Sequence, residues 1–535
     1  MKNRKMITFL FMVGWIICLF IPSIAQEEGL KLIKAENMKF HMKFLSSDEF
    51  KGRNSPSNEL KIASRYIALM AETIGLKPLM PDGSYYQELP LEISSISESA
   101  SSISLTSKSD KRTFFFPASF GVRGRTISPG QTSGDIVFLG LGIQAPDLDW
   151  DDYQDVNLEG KTVVFLDVQL PEDHILKPRE NRSLFRGRSS MAREKGAAAV
   201  LTVIPREREQ QFVETGLSFD NPDRSRVLDD ASVFQSSSSP ALYQIDIRHQ
   251  VAASILDVTV EELNQLFENL YNGEHIKPRE IKGKTIDISA TVNTQKGATH
   301  NIVGYLEGSD PVLKKEYVLF GSHHDGIGYR ENIVMNGADD NISGVVAMFE
   351  LAKALVEDRP KRSTVFVWHT GEEKGLLGAY YFVTHSPVPI EKMSAELNMD
   401  MLCRNDPNGI YLIGSNKLSS ELDASIHSMN DKYTHLNLDY TFEDPAHPDR
   451  FFFRSDQYPY IRYGVPGVWF FCATTEDYHQ GTDTEERVDY TKLEKVTQLV
   501  YLTAMDIGNK DNLLKLDIHE QIKTRGKHNL EYAWR

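Results

Sequence analysis

Tyr317-Val318-Leu319-Phe320, then Ile342, Val345, Val346, Phe349, Ala352 and Val356, then Ser363-Thr364-Val365-Phe366-Val367-Trp368 is the stretch that decides the fold. The two outer runs are continuous and rich in β-branched and aromatic residues, as expected of strands buried on both faces. The residues between them recur at helical spacing, with Asn341 and Ser343 as capping candidates near the start. Strand, crossover helix and strand imply a parallel or mixed sheet, because parallel neighbours need a long connection.

Working outward, polar residues of ligand type stand just after the predicted strands. Ser322-His323-His324-Asp325 follows one, Gly371-Glu372-Glu373 another, and Asn398-Met399-Asp400 ends a third. In open α/β sheets the crevice beyond the carboxyl ends of the strands is where ligands bind. Each residue alone has an ordinary explanation as a cap or hydrogen-bonding group. The ordered set is more informative: His323-x-Asp325, Gly337-Ala338-Asp339-Asp340-Asn341-x-Ser343-Gly344, Glu372-Glu373-x-Gly375, Asp400, and Tyr478-His479.

Upstream, residues 31–76 alternate apolar and charged positions at helical spacing and read as two helices, with Gly75 and Pro78 closing the second. From about Thr132, short β-rich runs such as Asp135 to Leu139 and Lys161 to Leu166 announce a separate small domain. Its one clear helix is Ser190 to Lys195, leading through Gly196 into a strand from Ala198 to Ile204. The polar stretch 206–239 reads as a long loop.

The chain has 535 residues, 41% hydrophobic and 25% charged, so a large folded protein of two or three domains is expected. A net charge of -16 disfavours nucleic acid as a partner. Lys2, Arg4 and Lys5 precede an apolar run from Ile7 to Ile21, and Ser23-Ile24-Ala25 offers small residues for cleavage. Residues 1–25 therefore read as a signal peptide, giving a secreted or periplasmic protein with no membrane association after signal removal; an uncleaved anchor is the lesser alternative. Cys18 leaves with that segment, and Cys403 and Cys472 remain as either one bridge or two buried thiols.

Together these motifs resemble the secreted zinc aminopeptidase and glutamate carboxypeptidase family, whose members often carry an inserted protease-associated domain. The resemblance covers most of the chain, including Phe44 to Asp48 and Gly75 to Pro78. It implies an α/β fold with a mixed, mostly parallel central sheet flanked by helices, and a smaller β-rich insert. The expected layout is the N-terminal part of a peptidase domain over 26–125, a protease-associated domain over 126–292, the metal-site domain over 293–512 and an extension over 513–535.

Carried over residue by residue, the resemblance implies two Zn2+ per chain. His323 and Asp400 would serve one ion, Glu373 and His479 the other, and Asp340 would bridge them. Imidazole and carboxylate suit zinc independently of the resemblance. Asp325 is placed to accept the other ring N–H of His323. Glu372, left free beside Glu373, would act as general base. A non-proline cis peptide is expected at Asp340-Asn341, with Gly337 and Gly344 accommodating the turn. His324, His369 and Asp339 are expected not to be ligands.

The expected activity is hydrolysis of N-terminal peptide bonds, with peptide or protein N-termini as substrates. Carboxypeptidase action, glutaminyl cyclisation and a non-catalytic binding protein are the alternatives. A carboxypeptidase would need Arg or Lys for the substrate's terminal carboxylate, and Arg454 and Arg462 are candidates. The family's frequent Thr-Pro pair is missing from Gln480-Gly481-Thr482-Asp483-Thr484, so the loop after His479 departs from the pattern.

Overall fold

The computed structural model describes residues 28–108, 110–123, 129–178, 181–221, 223–228, 243–519 and 522–526. The signal-peptide reading and the last residues of the C-terminal extension lie outside them. Among the described residues, no helix is long and apolar enough to cross a membrane.

The chain forms two compact units. Among the described residues, the first comprises 28–91, 227–228, 297–519 and 522–526. The main strands of its ten-stranded sheet, in chain order, are β1 (Tyr86–Ile96), β2 (Val292–Leu306), β3 (Tyr317–His323), β4 (Ser363–His369), β5 (Met393–Met399), β6 (Gly409–Ile413), β7 (Asn437–Asp439) and β8 (Gly467–Phe471). They lie in the order β1-β2-β4-β3-β5-β8-β6-β7. The central β4-β3-β5-β8 pairings are parallel, while β2 with β4 and β6 with β8 are antiparallel. The mixed, mostly parallel sheet is as expected.

Helices α1 (Ala35–Leu45), α2 (Asn58–Ile74), α3 (Ser343–Glu357), α4 (Leu377–Thr384), α5 (Gln457–Arg462) and α6 (Tyr490–Asn509) belong to this unit. The two N-terminal helices stand where the periodicity placed them, and Gly75 closes α2 with φ 104°. Helix α3 joins β3 to β4, and nearly all its side chains are buried. Phe320, Val346, Phe349, Phe366 and Trp368 share one core with Leu499 and Leu502 of α6. This continuous apolar packing holds the strand ends, and hence the loops that leave them, in fixed positions.

The second unit is formed by the described residues within 92–226 and 243–296. It begins well before the expected boundary at 126, because Ser102–Ser107 pairs with the long strand Arg279–Ala290 and Asp110–Phe115 pairs with Ser102–Ser107. It is also more helical than expected, with helices Arg182–Glu194, Arg206–Thr215, His249–Leu256 and Val260–Tyr271. The stretch expected to be a loop thus opens with a helix. Only Phe212 of that helix is buried, which left little apolar periodicity to read. Strands Thr162–Leu166, Ala199–Val203 and Tyr243–Ile247 run parallel and carry Val164, Leu201 and Ile245 into this unit's own core.

Candidate metal centre

Every ligand-type residue singled out in the sequence lies at or beyond the carboxyl ends of the parallel strands. His323 is the last residue of β3, Asp400 directly follows β5, and Glu372 and Glu373 stand just past β4. His479 is in the loop after β8, and Asp340 precedes α3.

The local backbone explains each placement. Asp483 accepts from the N–H of Asp339 at 3.0 Å and of Asp340 at 3.0 Å, and Arg404 holds Asp483 at 2.7 Å. The Asp340-Asn341 peptide is cis, as the resemblance implied. Gly337 has φ 59°, and a Cβ there would stand 2.2 Å from the Asp340 carbonyl. At Gly344 a Cβ would meet the Met399 carbonyl at 2.2 Å, so glycine is what lets α3 start against the end of β5. Asn341 Oδ1 caps the Gly344 N–H at 3.0 Å. The Ser343 hydroxyl instead donates to the Asp339 carbonyl and accepts from Leu402.

His323 donates from Nδ1 to the backbone carbonyl of Asp325 at 3.2 Å, which fixes the tautomer that leaves Nε2 free. The Asp325 carboxylate does something other than expected. It lies 3.8 Å from that nitrogen and accepts the backbone N–H groups of Glu372 at 3.1 Å and Glu373 at 3.4 Å. It therefore sets the position of the glutamate pair. The role of Ser455 was not foreseen: its Oγ donates to Asp400 Oδ2 at 2.5 Å and accepts from Asn398 Nδ2 at 2.7 Å.

Two groups of ligand atoms result, His323-Asp340-Asp400 and Asp340-Glu373-His479, each with its atoms within 4.8 Å of one another. His323 Nε2 stands 3.3 Å from Asp340 Oδ1 and 3.3 Å from Asp400 Oδ1. His479 Nε2 stands 3.1 Å from Asp340 Oδ2 and 3.3 Å from Glu373 Oε1. Yet His323 Nε2, Asp400 Oδ1 and Glu373 Oε1 are buried with no hydrogen-bond partner. Buried polar atoms left unpaired are costly. Atoms that crowd together without bonding to one another point to a shared cation between them, and the donor set of imidazole and carboxylate fits zinc.

The electrostatics agree. Burial opposes a charge on His323, but Asp400 and Glu372 outweigh it and raise its pKa well above the usual value. Burial likewise opposes His479, and Glu373 and Asp340 push it up to about 10. Burial raises Asp400 to about 6 and lifts Glu372 far above the ordinary range, with Glu373 and Asp400 adding to the latter. Both rings thus face a centre rich in negative charge, a setting that favours a divalent cation.

The expected non-ligands have structural partners. His324 bonds Ser64 and the His369 carbonyl, and His369 stands against Tyr460 and Asp456. Asp339 accepts from the thiols of Cys403 at 3.0 Å and Cys472 at 3.2 Å, both of which are free. Arg462 bonds Tyr380 at 3.2 Å, whereas Arg454 reaches the pocket and donates to the Tyr478 hydroxyl at 2.9 Å. That pocket is lined by the carboxylates Asp340, Glu372 and Asp400 together with Met401, Phe451, Trp469 and Phe471.

Residues 301–504 match the family model described as Peptidase family M28. A probable leucine aminopeptidase 2 of Aspergillus oryzae is 28% identical over 206 residues, covering 37% of this chain and 38% of the relative. Leucine aminopeptidase 2 of Arthroderma otae is 26% identical over 212 residues, 38% of this chain and 39% of the relative. The chain thus spans well under half the length of these relatives. In fold it is similar to an aminopeptidase from Aneurinibacillus sp. strain AM-1, with TM-score 0.54, 17% identity, and coverage of 91% of this chain and 97% of that one. It is equally similar to a zinc aminopeptidase from Bacillus subtilis, with TM-score 0.54 and 16% identity over 92% of this chain and 99% of that one. Residues 301–504 thus match the Peptidase family M28 model, on a fold shared with these aminopeptidases.

Proposed function

We propose that this chain is a two-zinc aminopeptidase, exported by residues 1–25, that removes apolar residues from peptide N-termini. The observation that carries the reading is the pair of ligand groups sharing Asp340, with three buried ligand atoms left without hydrogen bonds. His323 and Asp400 would hold one ion, Glu373 and His479 the other, with Asp340 between them. Bound there, zinc supplies Lewis-acid polarisation of the scissile carbonyl and acidifies a water.

Glu372 belongs to neither group, yet its carboxylate lines the pocket beside Asp340 and Asp400. It takes the proton of the attacking water and delivers it to the leaving amine. The Tyr478 hydroxyl, oriented by Arg454, is available to donate to the carbonyl oxygen as that oxygen gains charge. The carboxylates of Asp340, Glu372 and Asp400 in the pocket favour a substrate's cationic α-amino group. Met401, Phe451, Trp469 and Phe471 in the same lining offer apolar surface for a side chain. The names of the fungal relatives, leucine aminopeptidases, support the same substrate class. The inserted unit we read as a protease-associated module.

Arg454 in the pocket supports a second reading, in which a guanidinium binds a terminal carboxylate. One assay decides between them. The purified chain is tested on aminoacyl anilides and on N-blocked peptides with free carboxylates, with bound zinc quantified and Glu372→Gln as control. The proposal expects cleavage of free-amine substrates only, near two zinc per chain, and a loss of about 10²- to 10⁴-fold in kcat for Glu372→Gln with zinc retained. Cleavage of N-blocked peptides alone would move the activity to carboxypeptidase, and absence of both zinc and turnover would overturn it.

A further inference from the structure

Arg53 is fully buried, and none of the ligand motifs contains it. Its guanidinium makes four hydrogen bonds, all to backbone carbonyls: Leu45 at 2.8 Å, His324 at 3.2 Å, Asn336 at 2.8 Å and Gly337 at 3.2 Å. These acceptors lie on three separate segments. Leu45 ends α1, His324 adjoins the ligand His323, and Asn336-Gly337 leads into Asp340.

The chain around Arg53 is shaped to deliver it there. Lys51, Gly52 and Arg53 have φ of 44°, 66° and 51°, a tight left-handed turn. The Arg53 carbonyl accepts the Gly326 N–H at 3.1 Å, and Asn54 bridges to the same glycine. Asp48 accepts from Asn336 Nδ2 at 2.8 Å. The turn from Asp48 to Asn54 therefore grips both the 323–326 and the 336–340 segments. A Cβ on Gly337 would stand 2.9 Å from Arg53 Nη2 and one on Gly326 2.8 Å from the Gly52 carbonyl, so Gly337 makes room for the guanidinium and Gly326 for the turn that carries it.

A buried cation normally sits against a carboxylate. Here burial lowers the Arg53 pKa to about 10, the charges of Asp325, Asp483, Asp340 and Glu373 oppose that loss, and its N–H groups serve the backbone. Five donors in a rigid fork can serve carbonyls on diverging segments, whereas a lysine ammonium offers three donors at a single point.

From this geometry we infer that Arg53 is a positioning residue of the metal centre, tying the segment that ends in His323 to the segment that carries Asp340 and so fixing the separation of two ligands to the same ion. The inference rests on the two-zinc reading above. Groups that orient ligands without touching the metal typically change affinity 10- to 100-fold when altered.

The test uses the full chain. Zinc affinity is measured by competition with a chromophoric chelator, well below each protein's unfolding temperature, and kcat and KM are measured at saturating zinc. Arg53→Lys is the first variant, because it keeps the charge but loses the fork; Asn336→Ala, which cuts only the tie to Asp48, is the second. The expected result is about 10- to 100-fold weaker zinc binding in Arg53→Lys and a smaller loss in Asn336→Ala, with kcat falling while KM changes little. Should Arg53→Lys not fold, Asn336→Ala decides by the same readout. Wild-type zinc affinity and kcat in the folded variants, with only the unfolding temperature lowered, would make Arg53 purely structural and overturn the inference. Failure of the wild-type chain itself to bind zinc would instead refute the two-zinc reading.

Discussion

Ser455→Ala isolates one hydrogen bond at the candidate metal centre. Ser455 Oγ donates to Asp400 Oδ2 at 2.5 Å in a buried setting, which leaves Asp400 Oδ1 facing His323 Nε2 at 3.3 Å. A hydrogen bond to a charged group contributes about 1.5–3 kcal/mol. At about 1.4 kcal/mol per tenfold, its loss corresponds to roughly 10- to 150-fold in affinity if the bond serves to hold Asp400 in its metal-binding orientation. The backbone stays anchored, because Trp469 Nε1 donates to the Asp400 carbonyl at 2.8 Å. Zinc titration against a chelator, with stoichiometry read by native mass spectrometry, should show one of two zinc equivalents weakened and the Glu373-His479 equivalent close to wild type. Two equivalents at wild-type affinity, or both weakened alike, would refute the reasoning.

Two further predictions concern stability. Burial, aided by Lys353, lowers the His41 pKa from 6.5 to about 4, so the folded state disfavours the protonated ring. That contribution is fully present above pH 6.5 and is lost as pH falls from 6.5 towards 4. Urea unfolding between pH 7 and pH 4.5 should therefore show a smaller loss of stability in His41→Gln than in wild type; parallel losses would count against it. Removing zinc with a chelator should lower the unfolding temperature and readdition should restore it, since zinc at 1,000 times its Kd stabilises by about 4 kcal/mol. An unmoved transition by calorimetry would argue that no structural or catalytic ion binds this centre.

What the sequence determined by itself was short-ranged. The buried runs of β3 and β4 and the helical spacing of α3 each lie within a few turns of chain, and from them the mixed α/β sheet follows. The candidate ligand residues could be singled out because they stand next to the strand ends that the same pattern locates. Gly337 and Gly344, quoted with Asp340, are positions where a side chain would strike backbone.

Tertiary structure decided what depends on partners distant in the chain. Ser455 meets Asp400 across 55 positions, Asp483 meets Asp340 across 143, and Arg53 meets His324 across 271. No local periodicity records such meetings. The Asp325 carboxylate shows the same limit: proximity in sequence suggested His323 as its partner, but the fold brings the Glu372 and Glu373 N–H groups into better line with it. The start of the second unit escaped for the same reason, since Ser102–Ser107 is assigned to it by pairing with Arg279–Ala290, far along the chain. Residue types and strand ends are inscribed locally, whereas orientation and charge balance at the centre arise only when distant segments pack together.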